Sequence, residues 1–169
     1  MTTSLMADAF GHHVWATTTL LDVCLTLDDA QLATDVPGTY GSILAIARHT
    51  VGADHGYLFA LTGGAHPEVD EDSMSLAELR ASMEANGPAW TALLATNPDP
   101  DVDIVRHRDD GTDSHAPAGI RYAQALHHGT DHRSQICTAL TVLGVTPPEI
   151  DVWDYAWKDR RIWEEPSAP

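Results

Sequence analysis

The sequence has little lysine, little cysteine and no long apolar run. Lys158 is the only lysine among nine basic residues, against 25 acidic ones, for a formal charge of −16. A surface this negative repels nucleic-acid phosphate and anionic lipid, so neither is an expected partner. It suits solubility or tolerance of salt, and the same field draws in divalent cations. The two cysteines, Cys24 and Cys137, lack Cys-x-x-Cys spacing and sit in apolar helical surroundings. That pattern points to small buried thiols rather than a disulfide framework. No apolar stretch approaches the roughly 20 residues that span a bilayer, and no charged-then-apolar leader opens the chain. A soluble cytoplasmic protein is the expectation.

What is present suits one globular domain over residues 1–169, with its core at about 5–157, since 43% of the 169 residues are hydrophobic. Apolar residues recur at three and four from about Leu5 to Leu27, and Asp28-Asp29 ends that pattern. Val36-Pro37-Gly38 is turn chemistry, and a second helix is predicted from Thr39 or Gly41 to Leu61, stopped by Gly63-Gly64. Ser75-Leu-Ala-Glu78 reads as a capping box opening a third helix, in which Gly87-Pro88 predicts a kink or a break. Residues 97–117 read as a long loop with a short hairpin around Asp109-Asp-Gly111. A fourth helix is expected from Pro117 to Leu143, closed by Gly144 and Pro147-Pro148. Trp153, Tyr155, Trp157 and Trp163 crowd the tail, which is expected to pack on the helices or on a second subunit. The fold class is therefore all-α, a four-helix bundle with a long loop before the fourth helix and an aromatic C-terminal tail.

The fourth helix carries Gln124-Ala-Leu-His-His-Gly-Thr-Asp-His-Arg-Ser-Gln135. His128 and His132 are four apart, so they share one helix face and can close on a single divalent ion. His127 points about 100° away, and Asp131 also lies off the shared face. Such an ion needs a further ligand. His49 stands mid-helix with Ala45, Ala53 and Gly52 one turn away, leaving room for an ion, and helices two and four can be bundle neighbours. His12, His13 and His55 are the other helical candidates, with His13 suited to a supporting role. His66, His107 and His115 fall in loop-like stretches and are expected to be solvated. There is no Glu-x-x-His, as a di-iron bundle needs, and no His-Glu-x-x-His. Imidazoles without a carboxylate fit Zn²⁺ or Ni²⁺ better than Mg²⁺ or Ca²⁺, and three ligands leave positions open. Arg133 and Gln135 are candidates to orient the ligands from behind.

The order of these features resembles the DinB/YfiT-like family of metal-binding four-helix proteins. The resemblance spans roughly residues 5–157. It rests on Ile46-Ala-Arg-His49-Thr-Val-Gly-Ala-Asp-His-Gly-Tyr-Leu58, Ser75-Leu-Ala-Glu-Leu79, His128-Gly-Thr-Asp-His132-Arg-Ser-Gln135 and the Asp-Val-Trp-Asp-Tyr tail. It implies an up-up-down-down bundle, often a homodimer, with a Zn²⁺ or Ni²⁺ site whose ligands here are His49, His128 and His132. Ser134 stands where the family motif usually has glycine, and Gln124 where an upstream histidine is common. Characterised relatives include thiol S-transferases and isomerases that use mycothiol or bacillithiol. The resemblance thus implies a small-molecule substrate, a low-molecular-weight thiol as cosubstrate, and metal-bound water or thiolate as the reactive species. The mycothiol-dependent isomerase branch tends to carry glutamate at the position of His128, which speaks against isomerase activity. A metal-dependent hydrolase, a non-catalytic metal- or small-ligand-binding protein, and histidines that merely pack a structural dimer stay open as alternatives.

Overall fold

Ser4, Ser42 and Ser75 each precede a long helix, hold an extended backbone and turn their hydroxyls back onto a first-turn N–H, at 3.1 Å to Ala7, 3.2 Å to Ala45 and 3.4 Å to Glu78. Such caps satisfy amides that have no partner inside the helix. In the computed structural model, which describes residues 4–108 and 110–165, the elements run in this order. Helix α1 (Leu5–Cys24) and the short α2 (Asp29–Leu32) precede α3 (Ile43–Leu61) and a single 3₁₀ turn at Glu71–Ser73. Then come α4 (Leu76–Ala95), strands β1 (Asp103–His107) and β2 (Asp113–Pro117), α5 (Ala118–Val142) and α6 (Val152–Lys158). Helix α1 packs against α4 and α5, and α3 packs against the same two, so the four long helices close into a ring.

Several boundaries differ from expectation, each for a local reason. The first helix stops at Cys24, and Asp28 caps a separate turn, α2, through a capping box with Gln31. The second begins at Ile43 because Ser42, not Thr39 or Gly41, supplies its cap. Helix α4 is not broken at Gly87-Pro88: it is one helix from Leu76 to Ala95, with Pro88 exposed inside it. Pro88 thus costs the helix one hydrogen bond and crowds the carbonyl one turn back, but on the solvent side, where that carbonyl is open to water. The hairpin forms with Val105 opposite His115, and Gly111 supplies a positive φ of 82° near its turn. Helix α5 ends as the sequence implies. Gly144 takes φ 74°, Val145 N–H donates to the Leu140 carbonyl and Gly144 N–H to that of Thr141, a Schellman closure.

The apolar interior falls into two clusters. One holds Leu20, Leu21, Ile43, Ile46, Val51, Met83, Ile136 and Leu140. The other holds Phe10, Leu58, Trp90, Tyr122 and Ala125. Between these sets each long helix contributes a buried polar residue: His13 in α1, Asp54 in α3, Asn86 in α4 and Arg133 in α5. A polar layer thus crosses the bundle at one level, and the histidine cluster lies beside it on α3 and α5.

The tail packs only in part. Tyr155 of α6 sits against Trp15 at 5.6 Å between ring centroids, and its hydroxyl fills the space above Gly11, where a Cβ would collide. Trp153, Trp157 and Trp163 remain exposed. No helix among the described residues is long and apolar enough to cross a membrane.

Candidate metal centre

The i, i+4 spacing on α5 brings His128 and His132 together, and the packing of α3 on α5 adds His49. Nε2 of His128 lies 3.0 Å from Nε2 of His49 and 3.2 Å from Nε2 of His132. The three candidate ligand atoms all fall within 4.8 Å of one another. A neutral imidazole carries one donor and one acceptor. Three Nε2 atoms turned inward cannot all find a hydrogen-bond partner in each other, whereas one cation would accept a lone pair from each. The residues therefore fit a single divalent ion of borderline softness, held through nitrogen alone.

Burial, then the neighbouring His132 and His49, pushes His128 down to about 4. His49 is lowered for the same reasons, burial first and then His132, with Glu71 opposing. Both shifts favour the neutral ring that a metal requires.

The surroundings hold the rings in place. The Tyr40 ring stacks on His49 at 4.1 Å, nearly parallel, and meets His132 edge-on. Tyr40 is itself tethered: its backbone N–H donates to Gln135 Oε1 at 2.8 Å. Gln135 thus acts on His49 through Tyr40, which the sequence left as a vague orienting role. Glu71, in the 3₁₀ turn, lays its carboxylate against Gly52 where a Cβ would overlap it. Gly52 is one turn along from His49, so the missing side chain is what admits a carboxylate beside the cluster.

His13 and Arg133 belong elsewhere. His13 Nε2 donates to Asp54 Oδ1 at 2.9 Å, and its Nδ1 accepts from Arg133 Nη1 at 3.0 Å; one ring tautomer serves both. Arg133 also donates to Thr17 Oγ1 at 3.0 Å. Burial pushes its guanidinium down to about 10, still charged near neutrality. Asp54 collects further hydrogen bonds from Asn86 Nδ2 at 2.7 Å and Trp90 Nε1 at 3.1 Å. Burial alone would raise its pKa, but the bonds from His13, Trp90 and Asn86 outweigh it and hold the carboxyl below its usual range. The expected supporting role of His13 at the metal is therefore corrected: both its nitrogens are committed to the buried Asp54–Arg133 link.

His55 bonds to Ser82 Oγ at 2.7 Å and to His66 Nε2 at 3.0 Å, and His66 reaches Asn86 Oδ1 at 3.1 Å. His66 is thus part of an internal network and not simply solvated. His107 and His115 each pair with an aspartate of the opposite strand, Asp113 and Asp103. His127 and Asp131 are exposed, as their helical phase requires. Cys24 is buried with its thiol pushed up to about 12, chiefly by burial, so it offers no nucleophile. Asp54, Tyr40 and Glu71 had no signal in the sequence beyond residue type.

A family model described as the DinB family matches residues 1–165, nearly the whole chain. The protein belongs to the DinB family. A search of curated proteins gave no match.

Proposed function

We propose that the protein binds one divalent metal ion, Zn²⁺ or Ni²⁺, through Nε2 of His49, His128 and His132, and uses it to transfer a low-molecular-weight thiol of mycothiol or bacillithiol type to a small electrophile. The observation that carries this reading is the convergence of three Nε2 atoms from two helices, all within 4.8 Å of one another. When bound, such an ion supplies Lewis acidity, lowering the pKa of a thiol or water at an open position. The chain's own residues do the rest. Tyr40 covers the His49 ring and sheds water from one side, and Gln135 fixes Tyr40. Glu71, which lines the same hollow as His49 and acts electrostatically on its ring, can accept the proton that an incoming thiol releases. The inert state of Cys24 is consistent with a nucleophile that arrives with the cosubstrate.

We place the protein in a reducing, cytoplasmic compartment as a homodimer. Its two free thiols suit the compartment, and the exposed Trp153 and Trp157 suit a second copy. Elemental analysis of purified protein should give about one divalent metal per chain, the stoichiometry of one three-ligand site. His128→Ala should abolish it, and unchanged metal content would remove the assignment. Conjugation of several thiols to monochlorobimane then tests the chemistry. Metal loading without turnover on any thiol would assign the site to binding alone.

A further inference from the structure

Nine basic residues serve this chain of 25 acidic ones, yet three of them, Arg106, Arg108 and Arg121, line one cleft. The cleft has a volume of about 890 Å³ and lies between the end of α3, the hairpin and the start of α5. Among the described residues, Glu68 is the only carboxylate on its walls. In a molecule whose field is otherwise negative, such a concentration of guanidinium groups selects an anion.

Two of these side chains retain unused donors. Arg106 gives Nη2 to Glu68 at 2.9 Å across an exposed ion pair, while its Nη1 faces Gly56, 3.9 Å from the position a Cβ would take. Arg121 gives Nη2 to the carbonyls of Ile104 and Ser114, which pins it beneath β1; its Nε is buried, which leaves Nη1 as the donor it can turn to the cleft. Ile104 and Arg106 are two apart on β1 and so project to the same side. An exposed pair such as Arg106–Glu68 contributes little to stability, so an incoming carboxylate can share or replace it at small cost.

The cleft is not isolated. Arg106 and Glu68 also line a second hollow of about 440 Å³ that includes His49, Gly52, Gly56 and Glu71. Gly52 and Gly56 lie on one face of α3; the Glu71 carboxylate fills the space over Gly52, while the missing side chain of Gly56 leaves a furrow along the helix toward the arginines, bounded by Glu71 at its histidine end. Gly56 follows His49 by seven residues, or about 10 Å of helical rise.

We propose that this furrow selects an elongated small molecule with a carboxylate about 10 Å from the group that reaches the histidine cluster, the carboxylate being received by Arg106 and Arg121. The inference rests on the metal–thiol reading for what happens at the histidine end, but not for the arginine end. It names the substrate class: an anionic thiol rather than a neutral one.

The test uses Co²⁺-loaded protein, whose near-ultraviolet charge-transfer band reports thiolate ligation. The probes are 8-mercaptooctanoic acid and 8-mercapto-1-octanol, equal in length and different in terminal charge. The acid should bind about 5–10-fold more tightly, the worth of a charge-assisted hydrogen bond at a partly exposed site. Arg106→Gln should remove that gain and leave the alcohol unaffected, and Gly56→Leu should weaken both probes by blocking the furrow. Equal affinity for acid and alcohol, or a gain that survives Arg106→Gln, would overturn the inference while leaving the metal reading intact. If neither probe produces the band, the metal–thiol reading fails instead. Calorimetry of suberate on metal-free protein then decides the cleft alone: binding lost in Arg106→Gln supports it, and no binding overturns it.

Discussion

Gly129 of α5 lies directly over the ring of His13 in α1, so close that a Cβ on Gly129 would collide with the imidazole and press on Arg133 Nη1 at 3.0 Å. The His13 ring cannot swing away, because Asp54 and Arg133 hold its two nitrogens. Contact between α1 and α5 at this level therefore depends on the absence of a side chain next to the candidate ligand His128. Gly129→Ala gains helix propensity but forces the layer apart. A net loss of about 1–2 kcal/mol is expected, overpacking outweighing propensity, measurable by urea unfolding.

Removing Asp54 tests the same layer from its centre. Its carboxylate accepts from three other helical side chains, His13, Asn86 and Trp90, and it is 2% exposed. Asp54→Ala strands those donors and leaves the buried Arg133 charge without its nearest counter-charge. The expected loss is about 3–5 kcal/mol, enough to leave the chain marginal. Asp54→Asn preserves shape and should lose less, and the difference between the two separates packing from charge.

Gln135 reaches the metal centre only through Tyr40. Gln135→Ala frees the Tyr40 backbone and so the ring stacked on His49. Metal affinity is expected to fall about 10-fold, the lower end of what loss of an outer orienting contact costs. Competition against a chromogenic chelator measures it. Fold stability should barely change, since Tyr40 is exposed.

Acid should weaken the metal-free fold through His128. Its folded pKa, about 4, is below the ordinary 6.5, with burial the main cause and His132 and His49 adding to it. Above pH 6.5 the ring is neutral in both folded and unfolded chains and stability is full. Between 6.5 and about 4 the unfolded chain takes up a proton that the folded one refuses, so stability falls as pH drops. The melting temperature of metal-free protein should decline from pH 7 to 5, and His128→Asn should flatten that slope. Saturating metal should oppose the decline, since it binds only the folded cluster.

Pro88 is exposed in the interior of α4. Pro88→Ala restores an N–H to a helix already formed, and should stabilise the chain by about 1–3 kcal/mol, seen as a higher thermal midpoint. No change would show that the surrounding turn has already adapted to the ring.

Much of this is written locally in the chain. The Ser75–Glu78 box, the Gly144 stop and the four-residue spacing of His128 and His132 each involve neighbours within one or two turns, so residue type and spacing suffice to place them, whereas the Ser42 cap is not singled out from Thr39 and Gly41 nearby. The position of His49 is legible from its small neighbours together with the family resemblance. Asp54 is different: a lone aspartate mid-helix looks solvated, and its meaning comes from His13, 41 positions earlier, and Trp90, 36 later. Tyr40 sits in a turn and meets His49 only because its N–H is bound from α5, 95 positions away. Of the kink or break that Gly87-Pro88 suggests, the break does not occur, since a breaker signal carries no information on which side faces water. His66 shows the same limit, a loop residue drawn into an internal network by Asn86 of α4.

The uneven placement of tryptophan has a practical optical consequence. Trp90 is 1% exposed, with its indole N–H on Asp54, whereas Trp153 and Trp163 are about 70% exposed. Bulk emission will be dominated by indoles already in water, and will report the core weakly. Near-ultraviolet dichroism, which needs a fixed asymmetric environment, will come mainly from Trp90. Collapse of the polar layer should therefore register as lost dichroism well before the emission maximum moves.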